Sequence, residues 1–485
     1  MLPTSPVAPA LANPGFSTPA VSGGNWMQPP SWQTGPVLKK TRLSPLGNPM
    51  TFYTLPNGHR IIVEQRPSDI IGLRTFVNSG SIVENAVYPS SLYRNIGLPS
   101  GLAHLDEHCR FLTTENFPVK NSWTAKVDEL GGRFNASTSN EFIQHELFFN
   151  REDTANMLRL HAESVLRPVY NPQDLKQEQT NVLNEAALRT RRPMNRIYSK
   201  LSELLYDRPE IQTLGSQQDI LSTMPAHLAA FRHLAYSPTN MVTVISGNVN
   251  PEAVLAILGP AFGSNPPRYF GFGNQAVQTA IRPGEVRSAQ IVDPQLTNSI
   301  VHLGFPAPPQ NNYLDRMSME FLQEMLDGDP SALLPSQIVS NQRLASQLDS
   351  GYSPQKQSGD YRINMDVQPG QEQTALAGVL NLLSSLPRIL SQPATVEPMI
   401  ASTRDRLVRR HREIQRNVGL MTEALGQEAA NNTLPYFMNY EQMANLISAE
   451  DLQRAAQKYL NPATYAVVYG LPGQTQPLVP AGGLA

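Results

Sequence analysis

Hydrophobic and polar positions show no period from residue 1 to about 45, a stretch rich in Pro, Ser, Gly and Ala. Such a segment buries too little apolar surface to offset its ordering entropy, so a mobile arm is expected there. Order begins with Thr51-Phe-Tyr-Thr-Leu55 and Arg60-Ile-Ile-Val-Glu64, two β-rich runs around Pro56-Asn57-Gly58. An Asn-Gly step in that setting predicts a tight hairpin with both turn positions at positive φ. A third strand is expected at Leu73 to Val77. The apolar spacing then changes to a helical one over roughly 102–113, 121–131, 152–166, 172–189 and 195–206, before a Val-rich strand at Met241 to Ser246.

One phrase recurs. Leu228-Ala-Ala-Phe, Ser237-Pro238 and Val242-Thr-Val-Ile-Ser-Gly247 parallel Leu452-Gln-Arg-Ala, Asn461-Pro462 and Ala466-Val-Val-Tyr-Gly470. Each reads as a helix, a proline stop and an apolar strand ending in Gly. The reading is α+β: two similar domains, each a mostly antiparallel sheet packed by helices. The expected boundaries are an arm at 1–45, an N-terminal domain at 46–275, a linker at 276–288, a C-terminal domain at 289–475 and a tail at 476–485.

Composition narrows the chemistry. The 485 residues are 40% hydrophobic and 16% charged with a formal net charge of -2, so nothing favours nucleic acid. The stretch Arg404 to Arg416 is basic but interleaved with acids, as on a solvated helix face. No apolar run reaches the roughly 18–20 residues of a membrane span. The first cation is Lys39, so no positive signal-peptide start or Arg-rich transit peptide is evident, and a cytoplasmic location is the simplest expectation, with unusual export as the alternative. The single cysteine, Cys109, excludes intramolecular disulfides and leaves His and carboxylates as the possible metal ligands.

Those groups converge in Gly101-Leu-Ala-His104-Leu-Asp-Glu107-His108-Cys-Arg-Phe-Leu. Residues four apart share a helix face, so both imidazoles can reach one ion, with Glu107 on the same side. Zinc with two His ligands takes a third protein ligand and a water in a catalytic site. The helix around 171–189 offers Glu178 and Glu185, seven apart on one face: one can bind zinc while the other orients a ligand. Glu107, not itself a ligand, would act as general base and then acid. Cys109 is expected to pack into the core and Asp106 to face solvent. His145, His161 and His302 have no second partner at ligand spacing and are expected to be satisfied core or surface histidines.

With these motifs the chain resembles the inverzincin peptidases, namely pitrilysin, insulysin and the mitochondrial processing peptidase, in their two-domain bacterial form. The likeness rests on His104-x-x-Glu107-His108 followed by Phe111-Leu-Thr-Thr-Glu-Asn-Phe-Pro118, and on Leu55-Pro-Asn-Gly58, and extends over about residues 48–475. It implies Glu185 as third ligand of one Zn2+ per chain, Glu178 as the accompanying acidic residue of the catalytic set, and half of a clamshell in which unfolded peptides are cut. Gly131-Gly132-x-Phe134-Asn135-Ala136-Ser137-Thr138-Ser139 is similar to the family's substrate-binding strand, which implies peptide contacts at Phe134, Asn135, Ala136 and Ser137. Family members complete the site with an Arg and a Tyr from the C-terminal half. Alignment around Arg343-Leu-Ala-Ser346 puts Val339 and Ser346 at those places, and neither can replace them. The expectation is a zinc endopeptidase working as a heterodimer, rather than a homodimer, with a homologous subunit that supplies Arg and Tyr. The alternative is a non-catalytic scaffold or core subunit of the same fold.

Overall fold

The computed structural model of the chain describes residues 35–84, 98–206, 213–267 and 278–473. Most of the arm and the tail expected at 476–485 lie outside these residues. The first sheet is built from β1 (Leu38–Leu43), β2 (Pro49–Thr54), β3 (Arg60–Gln65), β4 (Ile70–Val77), β5 (Arg133–Thr138), β6 (Ile143–Asn150) and β7 (Met241–Gly247). The second comprises β8 (Val286–Asp293), β9 (Ser299–Ala307), β10 (Gln347–Pro354), β11 (Gly359–Val367) and β12 (Tyr465–Pro472). The first half has helices α1 (Leu102–Arg110), α2 (Ser122–Glu129), α3 (Thr154–Leu166), α4 (Pro172–Arg191), α5 (Pro193–Leu205), α6 (Gln217–Ser222), α7 (Pro225–Ala235) and α8 (Pro251–Gly263). The second has α9 (Tyr313–Asp327), α10 (Glu372–Leu390), α11 (Pro393–Arg416), α12 (Val418–Ala430), α13 (Leu434–Met438), α14 (Tyr440–Leu446) and α15 (Ala449–Tyr459).

Three local expectations are corrected. The arm expected to reach residue 45 stops earlier, because Leu38–Leu43 pairs along its length with β2. All six side chains of β1 are exposed, so backbone pairing holds the strand and no apolar alternation marks it. Strand β8 begins at Val286, inside the stretch expected to link the halves. The β2–β3 turn uses positive φ only at Gly58, at 90°, with Asn57 outside the positive-φ residues. The Gly58 N–H closes onto the Leu55 carbonyl at 2.8 Å, so Pro56-Asn57 form an ordinary turn followed by a left-handed glycine. Asn57 instead donates to the carbonyls of Phe262 and Asn265, each at 2.8 Å.

The sheet orders are β1-β2-β3-β7-β4-β6-β5 and β10-β11-β9-β12-β8. Aligned from β3 and β8, they are one pattern: β3-β7-β4-β6-β5 corresponds to β8-β12-β9-β11-β10. In each, the strand ending the recurrent phrase pairs parallel to one neighbour and antiparallel to the other. The weak sequence repeat is thus a real structural one.

The halves also interlock. Helix α12, from the C-terminal half, lies on β4 and β7 of the first sheet. There Met421, Leu425 and Ala429 join Met50, Ile62, Phe76, Val242 and Val244 in a separate core. Reciprocally, α5 of the first half covers β8, β9 and β12 with buried Ile197, Leu201 and Leu205. Absent side chains allow these approaches: a Cβ on Gly426 would stand 2.1 Å from the Phe76 ring, and one on Gly470 2.3 Å from Ile197. Each half therefore shields an apolar sheet face of the other, at about 1.5–3 kcal/mol for each large side chain buried.

Candidate metal centre

Helix α1 is nine residues long, too short to be stable alone, and its start is fixed from outside. Gly101 precedes it with φ 79° and lies so close to Leu214 that a Cβ would fall 2.2 Å from that carbonyl oxygen. The Glu84 carboxylate accepts from the backbone N–H of Gly101 (2.6 Å) and of Ala103 (2.7 Å), the role a side-chain cap would otherwise fill. Helix α4 starts on Asn171, whose side chain accepts from Gln173 N–H at 2.9 Å, with Pro172 in the first turn.

Between these helices the ligand atoms meet. The Nε2 atoms of His104 and His108 lie 3.7 and 3.6 Å from the same oxygen, Glu185 Oε2. Both distances are too long for hydrogen bonds, yet one donor atom from each of the three residues falls within 4.8 Å of the others. Tetrahedral zinc with His and carboxylate ligands spaces neighbouring ligand atoms roughly 3.3 Å apart. The set thus offers the donor types that the ion takes, at separations that close to its coordination distances when the donors draw inward. It is the one such cluster among the described residues.

The surrounding groups prepare the donors. His108 Nδ1 faces Glu178 Oε2 at 3.1 Å, which fixes the tautomer that leaves Nε2 free. Burial opposes the ionised form of Glu178, but hydrogen bonds from His108 and Asn181 outweigh it and hold its pKa below the usual carboxylate value. Burial, with the neighbouring His108, pushes the His104 pKa down to about 4, so that ring is neutral at pH 7. Arg189 holds the other oxygen of Glu185, Nη2 to Oε1 at 2.6 Å, leaving Oε2 towards the histidines.

Glu107 stands outside the ligand cluster. Its Oε2 accepts from the Thr138 hydroxyl at 2.6 Å, and burial raises its pKa, an effect that this hydrogen bond partly offsets. Thr138 ends β5, which among the described residues pairs only with β6 and has its outer edge open. Of the four residues expected to touch peptide, Phe134 turns its ring inward against Phe111 and Trp123, with ring centroids 5.0 Å from each. Only its backbone is on the edge. Ser137 Oγ accepts from Gln144 at 2.8 Å, Asn135 is exposed and Ala136 half-buried. Where β5 ends, a cleft of about 580 Å³ opens between Ser139–Phe142 of the first half and Arg316, Glu320 and Tyr352 of the second.

Asp106 does not face solvent: it is fully buried, ion-paired with Arg110. An apolar environment is tolerated because each of its oxygens is hydrogen-bonded. Cys109 is buried, which pushes its thiol pKa up. His145 bonds Tyr236 and His161 bonds Thr75, at 2.9 and 2.8 Å, while buried His302 meets Tyr198 edge-on. Val339 packs on the second core, and Ser346 is tied to Asp366. Thr138 and Arg189 went unforeseen as site residues. The Glu185–Arg189 spacing of four is a readable helix ion pair, whereas Thr138 reaches Glu107 only through the fold.

Comparison with known proteins gives the family of the chain. The model of Insulinase (Peptidase family M16) matches residues 60–212, and that of the Peptidase M16 inactive domain matches residues 224–392. The chain is similar to an uncharacterised zinc protease of Mycobacterium leprae, 25% identical over 343 residues that span 69% of this chain and 72% of that protein. It is also similar to the zinc protease PqqE of Helicobacter pylori, 21% identical over 440 residues, 89% of this chain and 97% of that one. The crystal structure of a protease from Helicobacter pylori has the same fold, with a TM-score of 0.76 at 20% identity, covering 90% of this chain and 100% of that one. The two matched domains lie in order along one chain, with β3 to β6 of the first sheet in one and β8 to β11 of the second in the other, so this protein belongs to the insulinase, or M16, family of peptidases, the pitrilysin group of zinc proteases.

Proposed function

We propose that the chain is the zinc-bearing subunit of an endopeptidase that cuts peptides or unfolded protein segments. The observation that carries this reading is the pair of imidazole Nε2 atoms turned onto one oxygen of Glu185, at 3.7 and 3.6 Å, without hydrogen bonds between them. His104, His108 and Glu185 would hold zinc, which when bound supplies a Lewis acid that acidifies water and polarises a peptide carbonyl.

The chain's own groups do the rest. Glu107 takes a proton from the attacking water and passes it to the leaving amine nitrogen. The Thr138 hydroxyl holds Oε2 of that carboxylate, so Oε1 is the oxygen available for the proton. Burial raises the basicity of Glu107, which suits a base working near neutral pH. Glu178 keeps the His108 ring turned with Nε2 inward. A peptide added to the free edge of β5 would hydrogen-bond through its main chain and pass Thr138 beside Glu107. The tetrahedral oxyanion needs a donor, and Val339 and Ser346 stand where the resemblance implies Arg and Tyr. A homologous partner subunit supplying that pair completes the reading.

The test is Glu107→Gln in the zinc-loaded chain, assayed with and without a co-purified sister subunit. Zinc content should stay at one per chain while turnover falls by about 10²–10⁴-fold. Unchanged turnover would remove Glu107 from the chemistry. Full peptidase activity in the isolated wild-type chain would remove the partner. A scaffold role predicts that none of the four residues matters to function, and the retention of the whole ligand set argues for catalysis instead.

A further inference from the structure

Helix α1 has a second charged face, opposite the ligands. Asp106 and Arg110 sit one turn apart and are both 0% exposed. Asp106 Oδ2 accepts from Arg110 Nε at 3.2 Å, from Arg110 Nη2, and from the Tyr236 hydroxyl at 3.1 Å. Its Oδ1 accepts from the Tyr170 hydroxyl. Arg110 Nη1 donates to the carbonyls of Val165 (2.7 Å) and Ser164 (3.3 Å) at the end of α3. The guanidinium lies 3.9 Å from the centroid of the Tyr236 ring, whose hydroxyl meets His145 Nε2 at 2.9 Å.

Stability is a poor explanation for this arrangement. Taking both charges out of water costs several kcal/mol per ion, and well-packed apolar residues of similar volume are often as stable or more so. What apolar packing does not supply is direction. The satisfied ion pair accepts one rotation and one height of α1, because any other breaks hydrogen bonds in a dry interior. Tyr170 immediately precedes Asn171, the cap of the helix that carries Glu178 and Glu185. The network therefore joins the helix of the two histidines to the start of the helix of the third ligand.

We propose that the buried Asp106–Arg110 pair, with Tyr170 and Tyr236, is a positioning device that sets the relative placement of His104, His108 and Glu185. The inference rests on the zinc-peptidase reading and adds to it residues that touch neither metal nor substrate.

The experiment replaces the pair in the full-length chain by an apolar one, Asp106→Leu with Arg110→Met. Three quantities are compared with wild type: the Tm of the metal-free protein, the zinc Kd by chelator competition, and the visible spectrum of the cobalt-substituted site. A positioning role predicts an unchanged or raised Tm, a zinc Kd weaker by about 10–100-fold, and an altered cobalt spectrum. Wild-type zinc affinity and cobalt spectrum in the folded double variant would overturn it. Should that variant not fold, Tyr170→Phe keeps the ring and removes one donor to Asp106. Zinc affinity should then fall by about threefold to tenfold, and an unchanged Kd would overturn the proposal equally. A wild-type chain that takes up no zinc would remove the metal reading and the positioning role together. Zinc uptake that is equal in wild type and variants would remove only the second.

Discussion

Helices α1 and α9 hold corresponding places in the two halves, each following the strand that pairs antiparallel to the recurrent one and preceding the edge strand. Both carry buried polar residues, and they treat them differently. On α9 every carboxylate has its partners: Asp315 takes Arg454, Lys458 and Tyr459, Glu320 takes Tyr436 and Tyr440, Glu324 takes Arg406 and Arg410, and Asp327 accepts from the Ser350 N–H. On α1 only the rear face is satisfied in that way. On the front, two imidazole nitrogens converge on one carboxylate oxygen without bonding to it. Buried polar groups are normally hydrogen-bonded, so donors that meet across a gap mark a site, whereas acids enclosed by cations and phenols mark structure.

The sharpest way to break this contrast is to remove carboxylates from the metal centre and from α9 in turn. Glu185→Gln should abolish stoichiometric zinc binding, and Glu178→Gln, which loosens only the His108 ring, should weaken it by about 10–100-fold. Asp315→Asn in the second half should lower Tm and leave zinc untouched. Metal analysis after dialysis reads all three, and zinc loss in the Asp315 variant would show that the halves do not divide their roles.

The interlocking offers a smaller effect. Gly426→Val forces a branched side chain into the Phe76 ring, where even a Cβ would stand at 2.1 Å. Overpacking of this kind should cost about 1–3 kcal/mol, read by denaturant unfolding. Because α12 belongs to one half and Phe76 to the other, the loss should appear as one shifted transition. A native-like first half persisting beyond an unfolded second would contradict the interlock.

The smallest effect per step of the measurement concerns pH. In the first half His59 and His161 close a buried chain through Thr243 and Thr75, with links of 3.0, 2.8 and 2.8 Å. Burial pushes both pKa values down to about 3, and it pushes His411 of the second half to about 4. These folded-state values lie below the unfolded value of 6.5, so below that pH the unfolded chain binds more protons. The stability is fully present above pH 6.5 and lost as pH falls towards 3, by at most about 1.4 kcal/mol per pH unit for each histidine. His59→Gln should flatten the dependence of unfolding free energy on pH by one proton at most, and an unchanged slope between pH 6 and 4 would exclude this account.

Much of the molecule was legible in its residues. Helix periods foretold α1 to α5 within a few positions, and the recurrent helix–proline–strand phrase foretold two related sheets. The motif with its downstream acids named the residues that come together at the centre. Strand β1 was not legible, because both of its faces are exposed and backbone pairing leaves no trace in side-chain pattern. Nor was the inward turn of Phe134, since strand alternation does not say which neighbours wait on either side.

The sequence by itself determined the local terms: which segments are helices, where Gly and Pro interrupt them, and that His104, Glu107 and His108 share a helix face. These follow from spacing and chain stereochemistry within a few turns. Tertiary structure alone decided that Glu185 Oε2 meets both imidazoles, that Thr138 restrains Glu107, that Asp106 lies inward, and that each half roofs the other's sheet. Those outcomes depend on contacts between residues far apart in the chain, where packing and desolvation select one arrangement from many compatible with the same local pattern.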